Sequence, residues 1–496
     1  MLLVLPILVP LFTAALLLLV SAPRLQRWLA LAGACGLLAS GITIGLEVQS
    51  DGIQVLQSGT WAAPFGISLV ADRLSAMLVI AVGVVVLAAT AYGFAGIDPQ
   101  REALGYHPLF MILAMGVSGA FLTGDLFNLY VWFEVMLVAS FVLMALHRVQ
   151  AQVRAAFLYV TLNLLASAIL LTALGLMYGQ AGTLNLADLA QRWAQHGAPP
   201  LQLPMAMLFL TAFGIKAALF PWFFWLPASY HTPPAAVSAL LAGLLTKVGV
   251  YSLLRVFTLL FRDVPPAVYT LILLLSAATM LLGVICSLVQ QDFRRALSFN
   301  LVGHIGYTTL GLGLLTPLGI AGSIFYALHH IIAITNLYLI SGVFLRVRRT
   351  TELRALGDFY RSRPLFSVLA LIAIFSLGGV PPLSGFIAKV ALVRAAFAAH
   401  VYWAGVVAIV VSLLSVLSMA RLWNEAFWKP GPADADKAAP LWQQLLPIGG
   451  LSLLSVLLSV AANPVFDWTE RAAQDLLQPD AYIEAVLPKG DIHAAR

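Results

Sequence analysis

Apolar runs of about twenty residues recur along almost the whole chain, and they constrain its fold more than any other feature. An α-helix needs roughly 20 apolar residues to cross the hydrocarbon core of a bilayer. With 61% hydrophobic and only 10% charged residues among 496, the composition excludes a soluble globular protein and a disordered one. The runs are continuous and lack the alternation of a β-barrel. We therefore predict an all-α integral membrane protein.

The hydropathy pattern predicts about 14 transmembrane helices. The predicted spans are 2–20, 29–48, 70–94, 107–123, 125–146, 155–177, 204–226, 235–258, 266–288, 299–315, 319–345, 365–398 with a break, 403–427 and 441–461. The first span lacks a basic segment before it and a small-residue cleavage site, so we interpret it as a membrane helix and not a signal peptide. After the last span, residues 465–486 mix polar and apolar side chains and predict a short interfacial helix.

Lysine and arginine are concentrated in the loops that follow odd-numbered spans. These loops contain Arg294, Arg295 and a cluster of six arginines between positions 346 and 363. The loops after even-numbered spans contain little beyond Arg192 and Arg262. Because cytoplasmic loops carry the excess of positive residues, we predict a multi-pass protein of a bacterial-type inner membrane with both termini on the outer face. The net charge of +6 reflects these loops and indicates the lipid bilayer, not nucleic acid, as the partner.

Two of the predicted spans contain residues that interrupt a helix. The first holds Pro221, with Pro227 directly after its end, and the second holds Pro381 and Pro382 within GGVPPLSGFIAK. Proline removes a helical hydrogen bond and clashes with the preceding turn. Broken helices in corresponding positions of two halves are typical of inverted repeats in transporters. We therefore predict two inverted five-helix repeats, each containing a discontinuous helix.

The chain is predicted to have four parts. These are residues 1–106 with helices 1–3, residues 107–258 as the first repeat with helices 4–8, residues 266–427 as the second repeat with helices 9–13, and residues 441–496 with the last helix and an interfacial tail. The sequence has no dinucleotide-binding glycine fingerprint, phosphate-binding loop or nucleophile elbow in a suitable context, and Cys35 and Cys286 form no CxxC motif. We predict a transporter subunit, not an enzyme, without a cofactor or metal.

Among the ionisable residues inside the predicted spans, Glu134 and three lysines are the main candidates for a function, because a charge there is costly. A lysine near the middle of a membrane helix costs at least about 2.5 kcal/mol on insertion scales, so it needs a partner, a water-filled cavity or a function. Lys216 and Lys247 lie in neighbouring spans, and Lys389 follows the second break. Glu134 lies near the centre of the fifth span, and Lys216 is its natural partner. The alternatives are a structural ion pair between these two residues, and snorkelling or a structural role for Lys247.

Two adjacent histidines, His329 and His330, lie in the middle of the eleventh span. Adjacent residues of a helix point in different directions, so we expect at most one of them to face the same path as the lysines. A hydrogen-bonded core histidine is the structural alternative, a metal or haem site has no second ligand set in the sequence, and His304 is a weaker candidate. As a set, these ionisable residues predict a proton relay through Glu134, Lys216, Lys247, His329 or His330, and Lys389.

The motifs around these residues resemble one membrane-protein family. They are YVWFEVMLVASFVL around Glu134, GIKAALFPWFFWLP around Lys216, HTPPAAVSALLAGLLTKVGVY around Lys247, QQDFRRALSFNLVGHIGY at the tenth span and GGVPPLSGFIAK around Lys389. Over almost its full length, the chain resembles the antiporter-like membrane subunits shared by respiratory complex I and Mrp-type multisubunit Na⁺/H⁺ antiporters. Within that family it is most similar to the D-type antiporter subunits.

The resemblance implies a proton-translocating subunit of a multisubunit monovalent cation (Na⁺)/H⁺ antiporter, with other membrane subunits as partners and protons and Na⁺ as transported ions. It also implies that Glu134 and Lys216 form a coupling pair, that Lys247 is the central relay lysine, that an eleventh-span histidine continues the relay, and that Lys389 is its terminal site. One alternative keeps the fold and makes the chain a proton-pumping subunit of a complex I-type, redox-driven complex. Another makes it a membrane scaffold with structural ion pairs.

Overall fold

The chain is built almost entirely of helices in a computed structural model that describes residues 2–146, 149–431 and 441–487. The helices are α1 Leu5–Leu19, α2 Pro23–Asp51, α3 Arg73–Gly96, α4 Pro99–Ala103, α5 Tyr106–Leu122, α6 Leu126–Ala145, α7 Gln150–Ala181, α8 Leu186–His196, α9 Gln202–Ala217, α10 Trp225–Ser229, α11 Ala235–Leu240, α12 Thr246–Leu259, α13 Pro266–Leu288, α14 Phe293–Leu314, α15 Pro317–Arg348, α16 Phe359–Ser362, α17 Pro364–Gly378, α18 Ser384–Ala398, α19 Tyr402–Trp423, α20 Trp442–Val460, α21 Ala462–Leu477 and α22 Asp480–Val486. Two π-helical segments, Leu241–Leu245 and Asn424–Trp428, join α11 to α12 and extend α19.

Ten helices of the described residues are long and apolar enough to cross a membrane. Three shorter apolar helices accompany them, namely α5, α9 and α17. The prediction of a multi-pass helical membrane protein is confirmed. The fold also contains one small element that hydropathy did not predict, an antiparallel pair of strands, β1 Gln54–Gln57 and β2 Ser68–Ala71.

Several helices begin at an aspartate that caps their first turn. The side chains of Asp72, Asp125 and Asp292 each accept a hydrogen bond from the backbone N–H three residues later, at 2.8 to 2.9 Å. An oxygen at this position satisfies an N–H group that has no partner within the helix, and its charge suits the positive end of the helix dipole. These caps set the starts of α3, α6 and α14.

Two stretches form the centre of the bundle. Every residue of Ala235–Leu259 is buried, and α15 is buried along most of its length. α15 packs against helices from all parts of the chain, including α3, α11, α14, α17, α18, α20 and α21. Helices that are enclosed by protein have no lipid-facing side, so they tolerate polar and ionisable side chains better than peripheral helices do. Lys247, His329 and His330 lie on these central helices.

Two helices of the bundle stop in the middle of an apolar segment. α9 ends at Ala217 because Ala218 adopts a left-handed conformation with φ of 61°, and α17 ends at Gly378 because Gly379 has φ of 84°. At both ends the next N–H reaches back five residues, from Leu219 to the Gly214 carbonyl and from Val380 to the Phe375 carbonyl. The prolines that we singled out in the sequence, Pro221, Pro227, Pro381 and Pro382, follow these ends. A cis peptide bond precedes Pro221 and another precedes Pro382.

Candidate functional site

Lys216 lies in the last turn of α9 and is only 5% exposed. Its Nζ donates a hydrogen bond to the Ser167 hydroxyl at 3.0 Å and lies 4.5 Å from the centroid of the Phe133 ring. Glu134 is near enough for its charge to act on this amine. However, the two side chains form no direct ion pair within 4.0 Å, and Glu134 Oε1 is buried without a hydrogen-bond partner among the described residues. The two residues therefore interact at a distance, because the amine turns toward Ser167 and the aromatic ring.

A small cavity lies beside Lys216. The space that the centre of a water molecule can occupy in it is about 20 Å³. Tyr159, Asn163 and Leu245 form part of its wall. A space of this size fits about one water molecule. Since Leu245 precedes Lys247 by two residues, the cavity reaches from the end of α9 to the turn that carries the second lysine.

Lys247 lies directly after the π-helical segment Leu241–Leu245, in the first turn of α12. Its Nζ donates to the carbonyl oxygen of Ala242, in that segment, at 2.7 Å, and the residue is 2% exposed. Single π-helical turns inside α-helices occur frequently at functional sites. Gly249 brings this helix against the end of α9, since a Cβ at this position would lie 2.6 Å from the backbone nitrogen of Ala217. The backbone around Lys247 thus packs closely against the end of α9 that carries Lys216.

A stack of rings extends from Lys247 toward the second half of the chain. The imidazoles of His330 and His304 stack with 5.0 Å between centroids, and His304 Nδ1 forms a hydrogen bond with the Tyr326 hydroxyl. The charge of Lys247 acts on both histidines. Both nitrogens of His330 and Nε2 of His304 are buried and have no hydrogen-bond partner in the described part of the chain. No hydrogen bond within the described residues therefore occupies these nitrogens.

His329 faces the break between α17 and α18. Its Nδ1 hydrogen-bonds with the Ser384 hydroxyl at 2.9 Å, and Ser384 in turn lies 3.2 Å from the Ser376 hydroxyl. Lys389 is 3% exposed and donates from Nζ to the carbonyl oxygen of Gly378, the last residue of α17, at 2.6 Å. The charge of Lys389 acts on His329. The break thus holds a histidine, two serine hydroxyls and a buried amine together.

Both eleventh-span histidines are buried beside polar groups, and the expectation that at most one of them faces the path of the lysines stays a prediction. His330 points toward His304 and the Lys247 side, and His329 points toward Ser384 and the Lys389 side. Adjacent residues do point in different directions, as the expectation assumed. Because α15 is enclosed by protein, these two directions lead to two different sets of polar neighbours. His304, which the sequence indicated only weakly, belongs to the same set.

The three buried lysines share one type of environment. Their amines donate to the neutral oxygens of Ser167, Ala242 and Gly378 at 3.0, 2.7 and 2.6 Å. No carboxylate lies within 4.0 Å of any of them in the residues that the structure describes. Buried lysine, unlike arginine, gives up its proton readily when burial makes the charge costly. All three sites therefore suit proton exchange better than permanent ion pairing.

A second polar network was not predicted from the sequence. Arg255 forms a buried ion pair with Asp72 at 2.6 Å, and its guanidinium lies over the rings of Tyr251 and Tyr482. The network joins α3 and α12 to the C-terminal helix α22. One signal could have revealed it, since Tyr251 and Arg255 follow Lys247 at four-residue intervals on one face of a helix. Among the described residues, no group of three His, Cys, Asp or Glu side chains is placed to hold a metal ion.

Comparisons with known proteins give three results. A family model described as "NADH:quinone oxidoreductase/Mrp antiporter, TM" matches residues 123–415. A D-type Na⁺/H⁺ antiporter subunit of Alkalihalophilus pseudofirmus is 41% identical over 488 residues, which cover 98% of this chain and 99% of that protein. Among solved structures, a chain of the Mrp complex from Dietzia sp. matches with a TM-score of 0.90 and 31% identity over 98% of this chain and 99% of its own. A chain of respiratory complex I from Thermus thermophilus matches with a TM-score of 0.83 and 24% identity over 96% and 100%.

Proposed function

The chain belongs to the NADH:quinone oxidoreductase/Mrp antiporter family, and we propose that it is a proton-translocating subunit of a multisubunit Na⁺/H⁺ antiporter. Its family membership confirms the resemblance that the motifs indicated. The observation that carries the proposal is the row of three buried lysines, Lys216, Lys247 and Lys389, each bonded to a neutral oxygen. His304, His329 and His330 separate the second lysine from the third in this proposal. Each has at least one ring nitrogen without a hydrogen-bond partner within the described residues.

In the proposed relay, the charge of Glu134 controls Lys216, and Lys216 controls Lys247. A proton leaves Lys247, passes through the stacked pair His330 and His304 and through His329, and reaches Lys389. A unit charge about 8 Å away, at an effective dielectric constant of about 20, changes the energy of a charged amine by roughly 2 kcal/mol. This corresponds to about one and a half pKa units. Movement of one proton is therefore enough to change the occupancy of the next site.

The architecture that we propose for this subunit has about 14 spans, which the ten long apolar helices, the three shorter ones and the more polar α14 support. Two inverted repeats, residues 107–258 and 266–427, would each contain a broken helix. They would lie between an N-terminal part, residues 1–106, and a C-terminal part, residues 441–496, whose residues 488–496 lie outside the described residues. The matching ends of α9 and α17, each with a left-handed residue and an N–H reaching back five residues, support the repeats.

We place the subunit in a bacterial inner membrane with both termini on the outer face, because the arginine-rich loops all follow odd-numbered spans. Its partners are the other membrane subunits of the antiporter. The complexes to which the matching solved chains belong support this assignment.

The competing function is a proton-pumping subunit of a redox-driven complex. The similarity to the complex I chain, at 24% identity, shows a shared fold only. The relative at 41% identity is named as an antiporter subunit. The antiporter is therefore the better supported of the two. Extraction in mild detergent separates them: we expect several membrane subunits to co-purify with the chain, and the recovery of flavin or iron–sulfur subunits instead would favour the redox complex.

The transport function is tested in vesicles that contain the assembled complex. We expect a Glu134→Ala, Lys389→Ala double variant to lose Na⁺-driven proton movement, because it lacks the first and last groups of the relay. Lys429→Ala is the control, since this lysine pairs with Glu425 near the surface and lies outside the relay. Unchanged exchange by the double variant, with normal assembly, would make the chain a scaffold.

A further inference from the structure

One polar cavity at the helix ends does not involve the relay residues. It has a volume of 420 Å³ and lies where α3 and α15 end and α7, α14 and α20 begin. This is the end of the bundle that carries the arginine-rich loops. Three arginines line it, Arg101, Arg294 and Arg346, and no aspartate or glutamate of the described residues does. We call this space the arginine cavity.

The arginines of this cavity are only partly neutralised by their neighbours. Arg294 is 4% exposed and donates from Nη2 to the Pro233 carbonyl at 2.6 Å, while its Nε has no hydrogen-bond partner within the described residues. Arg346 donates from Nη1 to the Ala95 carbonyl at 3.2 Å. Of the three, Arg101 alone pairs with a carboxylate of the described chain, that of Asp98, which lies outside the cavity wall. The other two guanidinium groups form no ion pair within 4.0 Å with a carboxylate of these residues, and only the more distant charge of Asp292 acts on Arg294.

Neutral polar groups complete the cavity wall beside the arginines. Gln444 donates from Nε2 to the Tyr92 hydroxyl at 3.1 Å, and its Oε1 is buried and has no partner in the described part of the chain. Gln152 donates to the Thr232 carbonyl at 3.0 Å. A buried polar atom without a partner costs free energy unless a ligand or water satisfies it. The cavity thus combines positive charge, neutral polar side chains and enough volume for a small molecule.

We infer that the arginine cavity binds a phosphate-bearing anion, either the headgroup of an anionic phospholipid or free phosphate. Guanidinium groups match phosphate oxygens in geometry and charge, and basic pockets between transmembrane helices on the cytoplasmic side bind the headgroups of anionic lipids. Three guanidinium groups on different helices suit a ligand with oxygen atoms on several sides.

The test measures ligand-dependent thermal stability of the full chain in a non-ionic detergent. The probes are inorganic phosphate and dihexanoyl phosphatidylglycerol, with chloride at matched ionic strength as the reference. The main variant is Arg346→Gln, which removes a half-buried charge from the cavity wall. The matched control is Arg295→Gln, because Arg295 lies beside Arg294 in the sequence but is exposed and does not line the cavity.

We expect at least one phosphate probe to raise the unfolding temperature of the wild-type chain, and Arg346→Gln to require about tenfold more of that probe for the same effect. Arg295→Gln should respond as the wild-type chain does. A response to both probes indicates the phosphate group itself, and a response to the lipid alone indicates a membrane source. The inference is overturned if neither probe stabilises the wild-type chain, or if the two variants respond alike. Arg101→Gln repeats the comparison if Arg346→Gln fails to fold.

Discussion

His330 and His304 stack face to face, with 5.0 Å between ring centroids and 22° between ring planes, and so join α15 to α14 in the centre of the bundle. The charge of Lys247 and that of a third histidine, His329, both act on the pair. Three of its four ring nitrogens have no hydrogen-bond partner among the described residues. It is the step at which the proposed relay passes from the first half of the chain to the second.

Replacing His330 by phenylalanine tests this step. The larger ring keeps the stack but removes both nitrogens, so we expect the complex to assemble normally and Na⁺/H⁺ exchange in vesicles to fall by roughly tenfold or more. His400→Phe is the control, because His400 is exposed and bonds with the nearby Tyr402 outside the relay. Full exchange by the His330 variant would show that protons do not need this side chain.

Gly249 provides a test of how closely the Lys247 helix approaches the end of α9. In Gly249→Ala, the new methyl group would lie 2.6 Å from the backbone nitrogen of Ala217. Overpacking of this kind costs about 1–3 kcal/mol, and the backbone shift displaces the neighbouring Lys216. We expect a lower unfolding temperature in detergent and reduced exchange. Gly175→Ala, where an added methyl group meets nothing within 4 Å, should change neither; equal behaviour of the two variants would contradict the packing described above.

The ion pair between Asp72 and Arg255 should be essential for stability. Asp72→Asn keeps the cap of α3, because asparagine also accepts the hydrogen bond from Ser75, but leaves Arg255 buried without a counter-charge. Breaking a buried pair in this way costs about 3–5 kcal/mol, which thermal unfolding of the purified chain will detect. Asp98→Asn removes a similar capping charge nearer the surface and should cost about 1 kcal/mol or less. A small effect of Asp72→Asn would mean that Arg255 is not held by this carboxylate.

Glu102 predicts a specific dependence of stability on pH. It lies on α4, outside the spans, and accepts two hydrogen bonds from Arg27 at 2.7 and 2.8 Å and contacts His107. Burial alone would raise the pKa of this carboxyl, but the bonds and charge of Arg27 and the contact with His107 outweigh burial, so the pKa is lowered from its ordinary value of 4.5. A lowered pKa stabilises the folded state above that value, and the gain disappears as the pH falls through the folded-state pKa.

We therefore expect Glu102→Gln to lower the unfolding temperature at pH 7 and the difference from the wild-type chain to shrink below about pH 4.5. Glu470→Gln, which alters an exposed carboxyl group, should show little difference at any pH. If the gap between Glu102→Gln and the wild-type chain stayed constant as the pH fell, the carboxylate would not be the source of the stability.

Hydropathy predicted the helical framework well, because a bilayer demands apolar segments of fixed length. The predicted span 266–288 has the same bounds as α13. A proline begins this helix, and polar residues follow it. The prediction 155–177 is shorter than α7, Gln150–Ala181, since helices continue into the aqueous layer where apolar residues are no longer needed. The pair of strands escaped notice because each strand has only four residues, too few to stand out among apolar runs of helix length.

The sequence located the ionisable residues but not their contacts. A lysine within an apolar run can be recognised from the sequence alone, and Lys216, Lys247 and Lys389 were therefore identified. Their oxygen partners depend on helix breaks and on side chains far away in the chain, such as Ser167. The same limit explains why the importance of His304 and the convergence of Arg101, Arg294 and Arg346 became apparent only in three dimensions.

The central claim is that Lys247 passes protons during antiport. The most direct test measures proton movement driven by a Na⁺ gradient in vesicles that contain the complex, with Lys247→Ala compared with Lys429→Ala and the wild-type chain. We predict that Lys247→Ala assembles but loses at least about tenfold in exchange, while Lys429→Ala retains full exchange. Normal exchange by an assembled Lys247→Ala complex would contradict the relay.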